Sequence, residues 1–154
     1  MRRLRTVALG ALLLLTMLGS SLAGFNRGPT IAPSSVMANP SELPFTGGAV
    51  SVSADIEPAT KSNGGCGCPS EESVALVQAW VTVSPGALPP TAMTNTQDNA
   101  WQAQVSLPGN STVDDIAYTL TVTATDANGQ SAAPVAAEAT VLAAPQGPPD
   151  EPTL

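Results

Sequence analysis

Two cysteines are the residues of this sequence best suited to chemistry: Cys66 and Cys68 are separated only by Gly67, within EPATKSNGGCGCPSEES. In an exported protein, two neighbouring thiols tend to oxidise. We first expect a Cys66–Cys68 disulfide, because glycine permits the tight ring, and such a bridge is strained and easily reduced. A disulfide to another molecule is the second expectation. An exported thiol-active protein is a further alternative, although no helix N-terminus is predicted here to activate a thiolate.

The sequence predicts no enzyme, no catalytic residue and no metal cofactor. It contains no histidine, which removes the commonest general base and the commonest metal ligand. A closed zinc site needs four ligands, and there is no third cysteine. Asp114 and Asp115 are adjacent, so on extended backbone their side chains diverge and cannot share a proton. The glycine-rich NGGCGC is not followed by the lysine and helix of a phosphate-binding loop.

Residues 1–23 are expected to be a secretory signal peptide. Three arginines, Arg2, Arg3 and Arg5, precede an apolar run from Val7 to Leu18, and Ser21–Ala23 supplies small residues for cleavage. The run is shorter than the roughly 18 apolar residues that a membrane span needs. We therefore expect a secreted, periplasmic or cell-surface protein that has no membrane association after cleavage.

The mature chain is strongly acidic. Cleavage leaves Arg27 and Lys61 against twelve carboxylates, which gives a formal charge of about −10. Phosphate binding needs clustered lysine and arginine, so neither nucleic acid nor an anionic membrane surface is an expected partner. The expected partner is a protein or a glycan outside the cytoplasm.

One β domain is expected in residues 30–143, after a flexible leader at 24–29. A disordered tail rich in proline and acid is expected at 144–154. Apolar residues in the domain recur with a period of two, as in GAVSVSADIE, WQAQVSL, YTLTVTA and VAAEATV. Turn sequences such as SPGALPP, LPGNS and DANG separate these runs.

This pattern predicts seven strands in an antiparallel sandwich. The predicted strands are A near 30–38, B at 48–57, C at 74–83, D near 91–95, E at 101–107, F at 117–125 and G at 135–142. The segment between B and C, which holds both cysteines, is expected to be the longest irregular stretch of the domain.

The letters LPFTG at Leu43–Gly47 match the tag that sortases cleave, but they lie far from the C-terminus. A strand follows them instead of an apolar segment and a basic tail. We therefore expect a turn between strands A and B, in which Pro44 fixes φ and the glycines permit the reversal. Leu43 and Phe45 are expected to cap one end of the core.

The run SSVMANPSELPFTGGAVSVSADIEP, together with LPGNS and YTLTVTATDANGQS, resembles bacterial immunoglobulin-like domains of secreted and surface proteins. The resemblance covers nearly all of residues 30–143 and implies an immunoglobulin-like β-sandwich that serves as a spacer, adhesion module or binding module. Asp114 precedes Tyr118 by four residues, which is the spacing of the tyrosine corner. Both cysteines lie in one loop, so the disulfide between strands B and F of antibody domains cannot form.

In such a sandwich the B–C, D–E and F–G loops meet at one end. The candidate binding residues there are Asp55, Glu57, Glu71, Glu72, Asp98, Asp126 and Asn128, beside Cys66 and Cys68. Hard cations bind several oxygens at once, and TVTATDANG is similar to a stretch of the calcium-binding cadherin-like repeats, so calcium is an alternative ligand. DANG is also typical of an ordinary turn after strand F, and this is the interpretation that we favour.

Two indoles complete the set of candidates. Trp80 falls on the outer face of strand C and is a candidate contact residue, whereas Trp101 falls on an inward face and is expected in the core. The expected function is that of a secreted immunoglobulin-like binding, adhesion or structural module without catalytic activity. The first alternative is a small carbohydrate- or calcium-binding module that uses the B–C, D–E and F–G loops.

Overall fold

The computed structural model of this chain describes residues 26–63 and 70–146, and this part is all-β. One short 3-10 turn, Pro33–Ser35, accompanies the strands. The strands are β1 (Asn26–Arg27), β2 (Thr30–Ile31), β3 (Met37–Asn39), β4 (Glu42–Leu43), β5 (Gly48–Glu57), β6 (Ala59–Asn63), β7 (Ser70–Val74), β8 (Leu76–Ser84), β9 (Thr91–Ala92), β10 (Thr94–Gln97), β11 (Ala100–Leu107), β12 (Ile116–Asp126) and β13 (Val135–Val141).

Two five-stranded sheets contain most of these strands. The first has the order β10-β11-β5-β2, with β3 also paired to β5, and the second has the order β4-β13-β12-β8-β9. All pairs in the two sheets are antiparallel except β4 with β13, which is parallel. A small three-stranded sheet, β1-β6-β7, extends from the long connection between β5 and β8.

The two large sheets share one hydrophobic core, which makes the fold sandwich-like. Alternate residues of each long strand are buried because successive side chains of a strand point to opposite faces. Val52 and Ile56 of β5 and Leu120 and Val122 of β12 are all fully buried in this core. Valine, alanine, leucine and isoleucine form most of it, as expected from a chain with 3% aromatic residues.

The predicted count of seven strands was too low, although strands B, E, F and G appear close to their predicted bounds. Predicted strand A is interrupted by the 3-10 turn, which begins at Pro33, a residue with no N–H to donate to a sheet. Predicted strand D is divided because the chain crosses between sheets at buried Met93. Its first part, β9, pairs with β8, and its second part, β10, pairs with β11.

The segment expected to be irregular is instead a hairpin of β6 and β7, in which Lys61 lies opposite Glu72. Its strands, ATKSN and SEESV, carry too few apolar residues for the period-two pattern to reveal them. Asn26 and Arg27, expected in a flexible leader, form β1 and pair with β6. The residues between β6 and β7, which include Cys66 and Cys68, lie outside the described residues, as does the predicted signal peptide.

The LPFTG segment forms a turn that leads from β4 into β5, as predicted. The Gly47 N–H donates to the Pro44 carbonyl at 2.8 Å, and Gly47 has a φ of +73°. Leu43 is buried at the end of the core, whereas Phe45, which was expected to join it, is exposed.

Helices that could cross a membrane were sought along the described residues, and none is long and apolar enough.

Candidate functional site

Backbone hydrogen bonds bring the three predicted binding loops to one end of the sandwich. Ile56 of β5 donates to the Asn99 carbonyl in the β10–β11 turn at 2.8 Å. Ala127 in the β12–β13 connection donates to the Ala75 carbonyl between β7 and β8 at 3.1 Å. The connections after β5, β10 and β12 therefore lie side by side, and we call this the loop end.

Asp126 does not project from the loop end but is 2% exposed. Its Oδ1 accepts backbone N–H groups from Asn128 and Gln130, each at 2.8 Å. Its own N–H donates to the Gln130 carbonyl at 3.0 Å. A carboxylate that binds the backbone two and four residues onward organises the turn, as aspartate commonly does. The hydrogen bonds of Asp126 Oδ1 are therefore those of an ordinary turn, as one interpretation of DANG predicts.

Two buried oxygens remain in this turn. Asp126 Oδ2 and Gln130 Oε1 are both buried and have no hydrogen-bond partner within the described residues. Asp126 continues the inward register of β12, and its backbone pairs with Gln130, so both side chains lie on the inner face of the hairpin. Gly28 lies close to Gln130: a Cβ atom placed on this glycine would be 3.6 Å from Gln130 Oε1.

Five of the other candidate side chains lie at the surface. Asp55, Glu57, Glu72, Asp98 and Asn128 are exposed, and Glu71 lies on β7 opposite Ser62. Glu57 accepts a hydrogen bond from Thr30 Oγ1 at 3.3 Å. Among the described residues, no group of three or more histidine, cysteine, aspartate or glutamate side chains is arranged to hold a metal ion.

The two indoles occupy different environments. Trp80 is half-buried on the outer face of β8, and its Nε1 donates to Gln78 Oε1 at 3.4 Å. Trp101 packs against the core, and its buried Nε1 has no partner in the described part of the chain. Trp80 therefore lies on the outer face of its sheet, whereas Trp101 lies in the inward register of β11.

A groove that the sequence did not predict lies where the chain crosses between the sheets. It is an open groove of about 380 Å³ and is lined by Thr91, Ala92, Thr94, Thr96, Gln102, Ala103 and Gln104. The lining offers hydroxyl, amide and methyl groups and no titratable side chain. No sequence signal marked it, because it depends on the division of one predicted strand between two sheets.

At the end opposite the loop end, Asn110 organises the connection between β11 and β12. It is 2% exposed, and its Nδ2 donates to the Asp114 carbonyl at 2.8 Å and the Val141 carbonyl at 3.2 Å. Its Oδ1 accepts from Thr112 N and Oγ1. Tyr118, predicted to form a tyrosine corner, is buried near the start of β12, and the corner itself stays a prediction.

The sequence comparisons add no family to this description. No family model matches the chain, and a search of curated proteins found no significant match.

Proposed function

We propose that this chain is an extracytoplasmic immunoglobulin-like module with a binding, adhesion or structural role and no catalytic activity. The order of its strands carries the proposal. If β5, β8, β11, β12 and β13 correspond to strands B, C, E, F and G, one sheet has the order D-E-B-A and the other contains G-F-C. Constant-type immunoglobulin domains divide their strands between two sheets in the same way.

The surface of the sandwich supports a binding role. Loops presented by a rigid sheet scaffold are common positions for contact residues. The loop end carries exposed carboxylates, and the uncharged groove beside β10 offers hydroxyl and amide groups. A protein or a glycan is the proposed partner, and no step of bond making or breaking is assigned to these residues.

Export from the cytoplasm can be tested directly by locating the protein and measuring its intact mass. The full chain, produced in its source organism with a C-terminal tag, should be recovered outside the cytoplasm. Its intact mass should correspond to a chain that begins at Gly24, since Ser21–Ala23 forms the expected cleavage sequence. Recovery from the cytoplasm with residues 1–23 attached would contradict the proposal.

Calcium binding is a second candidate, favoured by the unpaired oxygens of Asp126 and Gln130. A buried acceptor without a donor costs free energy, and an unpaired carboxylate oxygen costs more. A hard cation binds carboxylate and amide oxygens, and Asp126 and Gln130 supply one of each in this turn.

Thermal unfolding in millimolar calcium tests this candidate. Binding to the folded state alone raises the melting temperature, and Asp126→Asn should abolish that rise because it removes the charge. Asp98→Asn is the matched control, since Asp98 is an exposed carboxylate of the same end. A wild-type melting temperature that does not respond to calcium removes the candidate and leaves the proposed binding module intact.

A further inference from the structure

Exposed apolar side chains are concentrated at the end opposite the loop end. Four large hydrophobic residues of the described chain are exposed, and three of them are Phe45, Val113 and Leu142. Their exposed fractions are 42%, 66% and 40%. The fourth, Met37, is on β3, away from these segments. We call Phe45, Val113 and Leu142 the apolar end patch.

Hydrogen bonds hold the three segments of this patch together. Asn110 N donates to the Phe45 carbonyl at 2.7 Å, which joins the turn after β4 to the β11–β12 connection. Ala144 N donates to the Thr112 carbonyl at 3.1 Å, which joins that connection to the segment after β13. The buried Asn110 side chain fixes the connection from within. A patch already held in place has less conformational entropy to lose when it is bound.

Carboxylates accompany the patch, and basic side chains do not. Glu42, Asp114 and Asp115 are exposed in the same segments as the apolar residues. The only basic residues in the described chain, Arg27 and Lys61, both lie in the small sheet, on β1 and β6. This end of the sandwich therefore combines exposed apolar side chains with exposed carboxylates, a composition that suits a partner with both apolar and basic groups.

We infer that the apolar end patch binds a basic segment of another protein that carries apolar side chains between its lysines or arginines. This inference rests on the proposed role as a binding module and names the end and the partner chemistry. A second copy would bring the same carboxylates to the patch, and the C-terminal tail brings Asp150 and Glu151. Like charges disfavour both occupants, whereas a basic segment is attracted and its apolar groups cover the patch.

Two labelled synthetic peptides, one of alternating lysine and leucine and one of alternating lysine and serine, test the inference with the intact mature protein. Fluorescence anisotropy should show at least about tenfold tighter binding of the lysine–leucine peptide, because only leucine can bury the patch. Binding of both peptides should weaken as salt is added, since exposed charges are screened.

Variants locate the binding surface. Val113→Ser and Phe45→Ser should each weaken binding of the lysine–leucine peptide by about tenfold, because each removes an apolar group that the peptide buries. Met37→Ser is the matched control, with comparable exposure on another face, and should change binding less than about twofold. Thermal unfolding of each variant confirms that it is folded.

A second pair of variants tests whether the carboxylates beside the apolar end patch contribute to binding. Glu42→Gln combined with Asp114→Asn should weaken binding of both peptides more than Asp55→Asn combined with Asp98→Asn, which removes two carboxylates from the loop end. Amide shifts on addition of the lysine–leucine peptide should be confined to the segments around residues 43–47, 110–115 and 142–144. Shifts centred on the loop end, or equal binding by Val113→Ser and Met37→Ser, would overturn the inference and leave the proposed export and binding role standing.

Discussion

Asn110 shows how a single polar side chain can determine a connection between strands. It satisfies two carbonyls and one backbone N–H from inside the fold. We expect Asn110→Ala to lower the free energy of unfolding by about 2 kcal/mol, because buried groups lose their partners. Urea denaturation measures the change.

Ser111→Ala is the control for this prediction, because Ser111 is an exposed side chain of the same connection. Its free energy of unfolding should stay within about 0.5 kcal/mol of the wild-type value. Equal losses for the two variants would show that Asn110 has no special role. Asn110-Ser111-Thr112 also spells a glycosylation sequon, yet the Asn110 amide donates two hydrogen bonds inside the fold, so in the folded protein it serves as a structural residue.

At the scale of the element, the turn from β4 into β5 depends on Gly47. A Cβ there would come within 2.5 Å of the Leu107 carbonyl oxygen, and its φ is +73°. Gly129 has a similar φ of +79°, but a Cβ on it would meet nothing within 4 Å. Gly129→Ala should therefore cost only about 1–2 kcal/mol for the left-handed backbone. Gly47→Ala should cost at least about 2 kcal/mol more, because backbone must move to relieve the overlap.

Chemical denaturation of the two variants compares these costs directly. Their difference isolates the steric overlap, since the left-handed backbone is common to both positions. If Gly47→Ala were no less stable than Gly129→Ala, the close approach of the turn to the β11–β12 connection would be wrong.

The elements that could be predicted are those in which local pattern and burial agree. β5, β11 and β12 alternate apolar and polar residues along their length, so period two located them. The sequences of β6 and β7, ATKSN and SEESV, contain only Ala59 and Val74 as apolar residues, so no period-two pattern revealed these strands. The meeting of three loops at the loop end could be predicted from the order of the strands alone. The groove and the apolar end patch could not be predicted. They depend on the path of the chain at Met93 and Asn110, and neither composition nor period-two patterning gives that path.

At the scale of the whole molecule, one core joins the two large sheets, so they should unfold together. Trp80 belongs to β8 in one sheet and Trp101 to β11 in the other. In Trp80→Phe and Trp101→Phe variants, the remaining indole reports on a single sheet. Within each variant, the urea midpoints from indole fluorescence and from far-ultraviolet circular dichroism should coincide, because the buried side chains of β5, β11, β8 and β12 form one cluster. Separate midpoints would mean that the sheets are held by independent contacts, and the shared core would then not account for the stability of the sandwich.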